Sequence, residues 1–178
     1  MAIVTRTNPV GIDLEIQKIQ STLFNGLTSR GWASYESYDR AYVNPKSGGT
    51  IPEIYTANNE YKEVLLDDTF TASSFFLVDP TRRENGGLLT QTISVIFQAD
   101  VVKLFPAITH RADEEMHNDI IGSLQEWEGY LSSVITGVSG VYSALEIPDG
   151  YDNRVSKDDM SNYHVVKIDL EIPYGYCN

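Results

Sequence analysis

The sequence has a single cysteine, Cys177, so no internal disulfide can form and nothing points to an oxidising compartment. Cations are scarce: thirteen Lys and Arg stand against twenty-five Asp and Glu, a net charge of −12. Nucleic-acid backbones are held largely by cations that displace counterions, so this balance argues against a nucleic-acid reader. No apolar run approaches the ~20 residues that a membrane span requires. Met1 to Asp13 carries no apolar core of the signal-peptide kind, and the expectation is a chain made in the cytoplasm. Low-complexity tracts, internal repeats and basic runs with interleaved aromatics are also missing.

What is present suffices for one domain. A chain of 178 residues buries about 70% of the surface its unfolded form exposes, and needs no metal or disulfide for stability. Tyrosine is abundant, with eleven copies. Many fall in loops or at strand edges, including Tyr35, Tyr38, Tyr42, Tyr55, Tyr61, Tyr151, Tyr174 and Tyr176. There they suit an interface, because tyrosine buries area while keeping a polar tip.

The stretch from Leu88 to Ile135 organises the rest. Leu89, Gln91, Ile93, Val95 and Phe97 alternate with Thr90, Thr92, Ser94 and Gln98, which predicts a half-buried strand with Ile96 as its exception. Asp100 is placed to cap a helical turn from Val101 to Phe105, and Pro106 stops it. A second helix is predicted from Ala112, where Asp113, Glu114 and Glu115 face the positive end of the helix dipole. Met116, Ile120, Leu124, Trp127, Leu131 and Val134, with Ile121 and Ile135 beside them, continue its apolar stripe. A helix of roughly 24 residues would be about 36 Å long.

Before this stretch, Met1 to Gly11 reads as a flexible lead-in. Ile12, Ile16, Ile19, Leu23 and Leu27 mark an amphipathic helix, and Gly31 suits its left-handed C-terminal cap. Strands are predicted at Ser34 to Val43, Glu53 to Thr56, Tyr61 to Leu66 and Ser73 to Val78. Asn44 to Gly49 and Asp79 to Gly87 read as loops, the second as a long hairpin tip. After it, Gly137 to Gly140 reads as a turn, Val141 to Ile147 as a strand ending at Pro148-Asp149-Gly150, and Tyr151 to Ser161 as an acidic loop. Val166, Ile168, Leu170 and Ile172 alternate with Lys167, Asp169 and Glu171 in a final strand. The prediction is a single α+β domain: an antiparallel or mixed sheet with two amphipathic helices packed on one face.

Chemistry is sparse. His110, His117 and His164 are the candidates for acid-base or metal work. Glu114 and His117 have the i, i+3 spacing of half a di-iron site, but the first helix supplies no second pair. Ser139 in Gly137-Val138-Ser139-Gly140 lacks the second glycine and the strand-to-helix setting of a nucleophile elbow. Cys177 lies too near the C-terminus to be held against a base. Asp149, Asp152, Asn153, Asp158 and Asp159 offer oxygen ligands without the spacing of a calcium loop, and Gly48-Gly49 and Gly86-Gly87 lack a phosphate-loop lysine. Arg82 and Arg83 are placed to meet an acidic partner surface, or else simply keep the hairpin soluble. Catalytic, cofactor and metal residues are therefore expected to be absent.

Pro52-Glu53-Ile54-Tyr55 and Tyr61-Lys62-Glu63-Val64 precede the paired Phe75-Phe76. The long Leu88 to Phe97 strand and the final strand Val165 to Ile172 follow. In this order, with an N-terminal amphipathic helix and a long helix before the closing strands, the chain resembles the tail terminator (tail completion) proteins of long-tailed bacteriophages. The resemblance covers most of the chain in outline. It implies a structural virion protein: a homohexameric ring that caps the tail tube, stops its polymerisation and docks on the neck below the portal. The partners it implies are further copies of the chain, the tail tube protein and neck or connector proteins. DNA would pass through without specific binding, an acidic channel repelling its backbone. Neither catalysis nor a cofactor is implied. Arg82, Arg83, Tyr151 and Tyr174 are the candidate interface residues. Two alternatives stay open: another neck component such as a stopper or head-tail adaptor, and a small metal-dependent hydrolase with His110, His117 or His164 among its ligands.

Overall fold

Strand β6 (Leu88–Asp100) forms as its alternation predicts. Leu89, Gln91, Ile93, Val95 and Phe97 are buried on one face, while Thr90, Thr92 and Ser94 are half-buried on the other. Its neighbours β5 (Ala72–Asn85) and β8 (Tyr163–Tyr174) run antiparallel to it. Val95 lies opposite Phe76 on one side and Ile168 on the other, and Phe97 opposite Ser74 and Val166. Cross-strand pairs of this kind are the unit of sheet stabilisation. The computed structural model describes residues 2–46, 49–57, 60–64, 69–85, 87–130, 134–139 and 162–175.

The remaining elements are β1 (Ala2–Val4), α1 (Ile12–Ser29), β2 (Tyr35–Lys46), β3 (Gly49–Ala57), β4 (Glu60–Glu63), α2 (Val101–Leu104), α3 (Asp113–Leu124) and β7 (Val134–Ser139). The sheet order is β4-β3-β2-β5-β6-β8-β7, with β1 added to β2. The β1–β2 and β2–β5 pairs are parallel and the others antiparallel, so the sheet is mixed and the fold is α+β. Ile16, Ile19, Leu23 and Leu27 of α1 and Met116, Ile120 and Leu124 of α3 share one core with Ile93, Val95, Phe97, Ile168 and Leu170. Both helices therefore cover the same face of the sheet. Each fully buried Ile, Leu or Phe adds roughly 1.5–3 kcal/mol relative to its exposed state. Ile96 departs from the alternation because the opposite face has a smaller core of its own, where Ile96 packs with Tyr38, Ile54, Phe75 and Val165.

The caps follow the sequence. Gly31 has φ +94°, and Trp32 N–H donates to the Leu27 carbonyl while Gly31 N–H donates to Thr28, a Schellman ending for α1. The Asp100 side chain accepts from Lys103 N–H at the start of α2.

Five expectations need correction. The helix predicted from Ala112 to Ile135 stops at Leu124, and Val134 and Ile135 belong to β7, as do Gly137 to Ser139, predicted as a turn. Bonds from Glu126 to Ser123, Trp127 to Leu124 and Tyr130 to Trp127 tighten the chain after Leu124. Gly129 leaves room for the Trp127 ring, since a Cβ there would collide with it. The flexible lead-in contains β1, in parallel register with Glu36 to Tyr38. The Gln20 side chain donates to the Val4 and Ser37 carbonyls at 3.0 and 3.1 Å, and Arg6 donates to Asp39 at 2.9 Å. The loop predicted at 44 to 49 is the close of a hairpin, with Lys46 opposite Gly49. The hairpin predicted between the Phe75-Phe76 strand and β6 is present, but Asp79 to Asn85, predicted as part of its loop, belong to β5, paired from Arg82↔Gln91 to Asn85↔Leu88. The predicted strand at Val141 to Ile147 and the loop at Tyr151 to Ser161 lie outside the described residues.

Candidate functional site

Two long hairpins separate at one point in the sheet. β2 and β5 pair from Tyr35↔Ala72 to Arg40↔Phe76. Beyond that, β2 continues to Lys46 against β3 and β5 continues to Asn85 against β6. Among the described residues, the β5 edge from Leu77 onward has no strand beside it. The register between β5 and β6 shifts between Val78 and Arg82, and this bulge accommodates Pro80, which cannot donate to a ladder. Thr81 N–H donates to the Asp79 carboxylate at 2.7 Å, holding its pKa below the usual aspartate value, and the Gln91 amide donates to the Asp79 carbonyl at 2.5 Å.

Asp79 to Glu84 are all exposed. Arg82 and Arg83, the candidate interface cations, are among these exposed positions. The Arg83 side chain is 78% exposed, with Glu171 3.9 Å away, a surface pair of small energetic weight. Val43, Tyr61 and Leu88 add exposed apolar area on the same two hairpin systems. Tyr174 is different: it is buried, packs in the main core and donates its hydroxyl to Gln91 at 2.9 Å. It has no area to present and is a core residue. Tyr151 lies outside the described residues, as do Cys177 and the acidic loop from Asp149 to Asp159.

Near the hairpin base a polar cleft of about 130 Å³ is lined by Asp79, Thr81, Arg83, Thr90, Thr92 and Glu171. That is below the ~300–1,000 Å³ of a small-molecule site. Ser139 lies within β7. Among the described residues no three His, Cys, Asp or Glu side chains gather around a metal position, and no helix is long and apolar enough to cross a membrane.

The fold does unite two of the three histidines. His117 of α3 and His164 of β8 face each other with Nε2 atoms 2.9 Å apart and ring centroids 5.1 Å apart. His164 is buried and its Nδ1 makes no hydrogen bond, although Asp113 Oδ1 lies 3.7 Å away. Burial is the largest influence on His164 and pushes its pKa down, against the opposing pull of Asp113. Asp113 receives both oxygens' worth of contact from Arg111 Nε, at 2.9 and 2.7 Å, and Arg111 also donates to the Tyr163 carbonyl at 3.2 Å. His110 stands apart, exposed and bonded to Glu115 at 2.8 Å. The sequence separates His117 from His164 by 47 positions, so only the β8 placement shows that they meet.

No protein-family profile matches the chain, and no curated protein matches it.

Proposed function

We propose that this chain is a structural assembly protein of the tail-terminator type, forming a ring that caps a phage tail tube and joins it to the neck. The observation that carries the reading is the edge of β5 beyond Phe76, which among the described residues has no strand beside it and whose residues Asp79 to Glu84 are exposed. An unpaired strand edge is a template for a partner's strand, and assembly proteins use such edges for recognition. Pro80 and the bulge blunt the edge against indiscriminate pairing. Beyond them, Arg82 and Arg83 place positive charge on a chain of net charge −12, so an acidic surface, including that of a second copy, is their electrostatic complement. Head-to-tail contacts of this kind close into rings when the rotation permits.

The order of elements supports the same reading: after the short β1 come α1, a strand-rich middle, α3, then closing strands. The net negative charge suits a channel that DNA passes without adhering. The deciding experiment is native mass over a range of concentrations with negative-stain imaging, followed by incubation with purified tail tubes. A ring of about six subunits, or tubes closed at one end by this chain, is expected. A chain that stays monomeric and leaves tubes uncapped overturns the reading, and binding to the head-side connector alone would make it a stopper or adaptor.

A further inference from the structure

We propose that His117 and His164 form a two-imidazole site for a divalent transition-metal ion that clips the start of α3 to β8. The rings come from different elements, yet their Nε2 atoms converge to 2.9 Å. In the neutral pair one Nε2 must carry the proton that the other accepts. A tetrahedral ion with metal–nitrogen bonds of about 2.0–2.1 Å holds two ligand nitrogens about 3.3 Å apart. With the centroids 5.1 Å apart the two nitrogens meet nearly head-on, so for an ion to take the proton's place the rings open by a few tenths of an ångström and each tilts by roughly 35° to aim its lone pair at the ion.

The surroundings match what such a ligand requires. The second nitrogen of His164, Nδ1, is buried without a hydrogen bond and has the Asp113 carboxylate 3.7 Å behind it. A carboxylate behind a ligating imidazole keeps that nitrogen protonated, leaves the other lone pair free and raises its basicity. Arg111, the nearby cation, spends its charge on Asp113. His117 is only half-buried, so an ion reaches the pair from that side and water fills the remaining coordination positions. Exposed Glu114, one helical turn before His117, adds negative charge beside the site. Imidazole ligands select zinc, nickel, cobalt or copper, and magnesium or calcium, which seek oxygen, are excluded.

The test uses the full chain freed of metal by a chelator and titrated calorimetrically with Zn²⁺, with Co²⁺ followed in parallel by its visible absorption. One ion per chain is expected, together with a rise in melting temperature. His117→Gln, at the more open of the two positions, should abolish binding while the protein stays folded. Asp113→Asn should weaken binding by about 10–100-fold. His110→Gln, on the exposed histidine, should change nothing. No bound ion, an ion retained in His117→Gln, an affinity indifferent to Asp113→Asn, or a loss in His110→Gln overturns the proposal.

Discussion

Gly26 of α1 and Ser123 of α3 approach so closely that a Cβ on Gly26 would stand 2.7 Å from both Cβ and Oγ of Ser123. The two helices cross at this point, and Arg30 then donates to Ser123 Oγ at 3.2 Å while the Trp32 indole donates to Asp119 at 2.9 Å. Gly26→Ala should force the helices apart and lower stability by about 1–3 kcal/mol, the usual cost of overpacking. Adding Ser123→Gly should recover much of the loss in a chemical-denaturation series. If Gly26→Ala melts like the parent, the helices do not cross here.

Val95 and Ile168 face one another across β6 and β8, each about 1% exposed. Val95→Asp or Ile168→Asp would bury an unpaired carboxylate, so loss of folding, or at least about 4 kcal/mol of destabilisation, is expected. Circular dichroism and thermal melting read this directly. Two native-like melts would place the core on the other face of the sheet.

Tyr35 is fully buried, its hydroxyl 2.6 Å from Ser74 Oγ, and burial pushes its pKa up to about 12. The folded state therefore disfavours the phenolate, compared with about 10 in an unfolded chain. Its contribution is whole below pH ~10 and is lost as pH rises from there through about 12. Ultraviolet titration should show one tyrosine ionising late, together with unfolding, and Tyr35→Phe should flatten the alkaline fall in stability. A tyrosine set that titrates completely near its ordinary pKa in the folded protein would contradict this.

Arg82→Glu combined with Arg83→Glu alters only exposed hairpin positions, so its stability in thermal melting should stay within the range of ordinary surface changes, about ±0.5 kcal/mol. Self-association or tube capping should fall sharply. Assembly that survives the double charge reversal would remove this hairpin from the interface.

The elements legible in the sequence are those with a single buried face. In α1, Ile12 to Leu27 left one phase to choose, and Gly31 marked the end. In β8, Val166, Ile168, Leu170 and Ile172 share a phase that also contains Tyr174. Following that alternation two residues further would have assigned Tyr174 to the core. Periodicity failed where two elements continued one another's stripe: Val134 and Ile135 fall on the helical spacing of α3 but sit in a strand, as β-branched residues favour. The hairpin arms failed for another reason. Proline and charge at Asp79 to Asn85 are turn signals, yet a ladder draws on backbone groups, and the bulge took up the proline. Pairing between His117 and His164 left no local trace, because it depends on how β8 returns across α3.

β8 is the last described strand in chain order, yet it lies inside the sheet between β6 and β7. During synthesis, β6 therefore exposes its bonding edge from Leu89 to Asp100 until residues 163–174 are made. At ~5–20 residues per second that wait is about 4–15 seconds, with an apolar strand edge unprotected throughout. A nascent chain cut short before Tyr163 would keep that edge and would be a sticky species, prone to co-aggregate with its own full-length siblings.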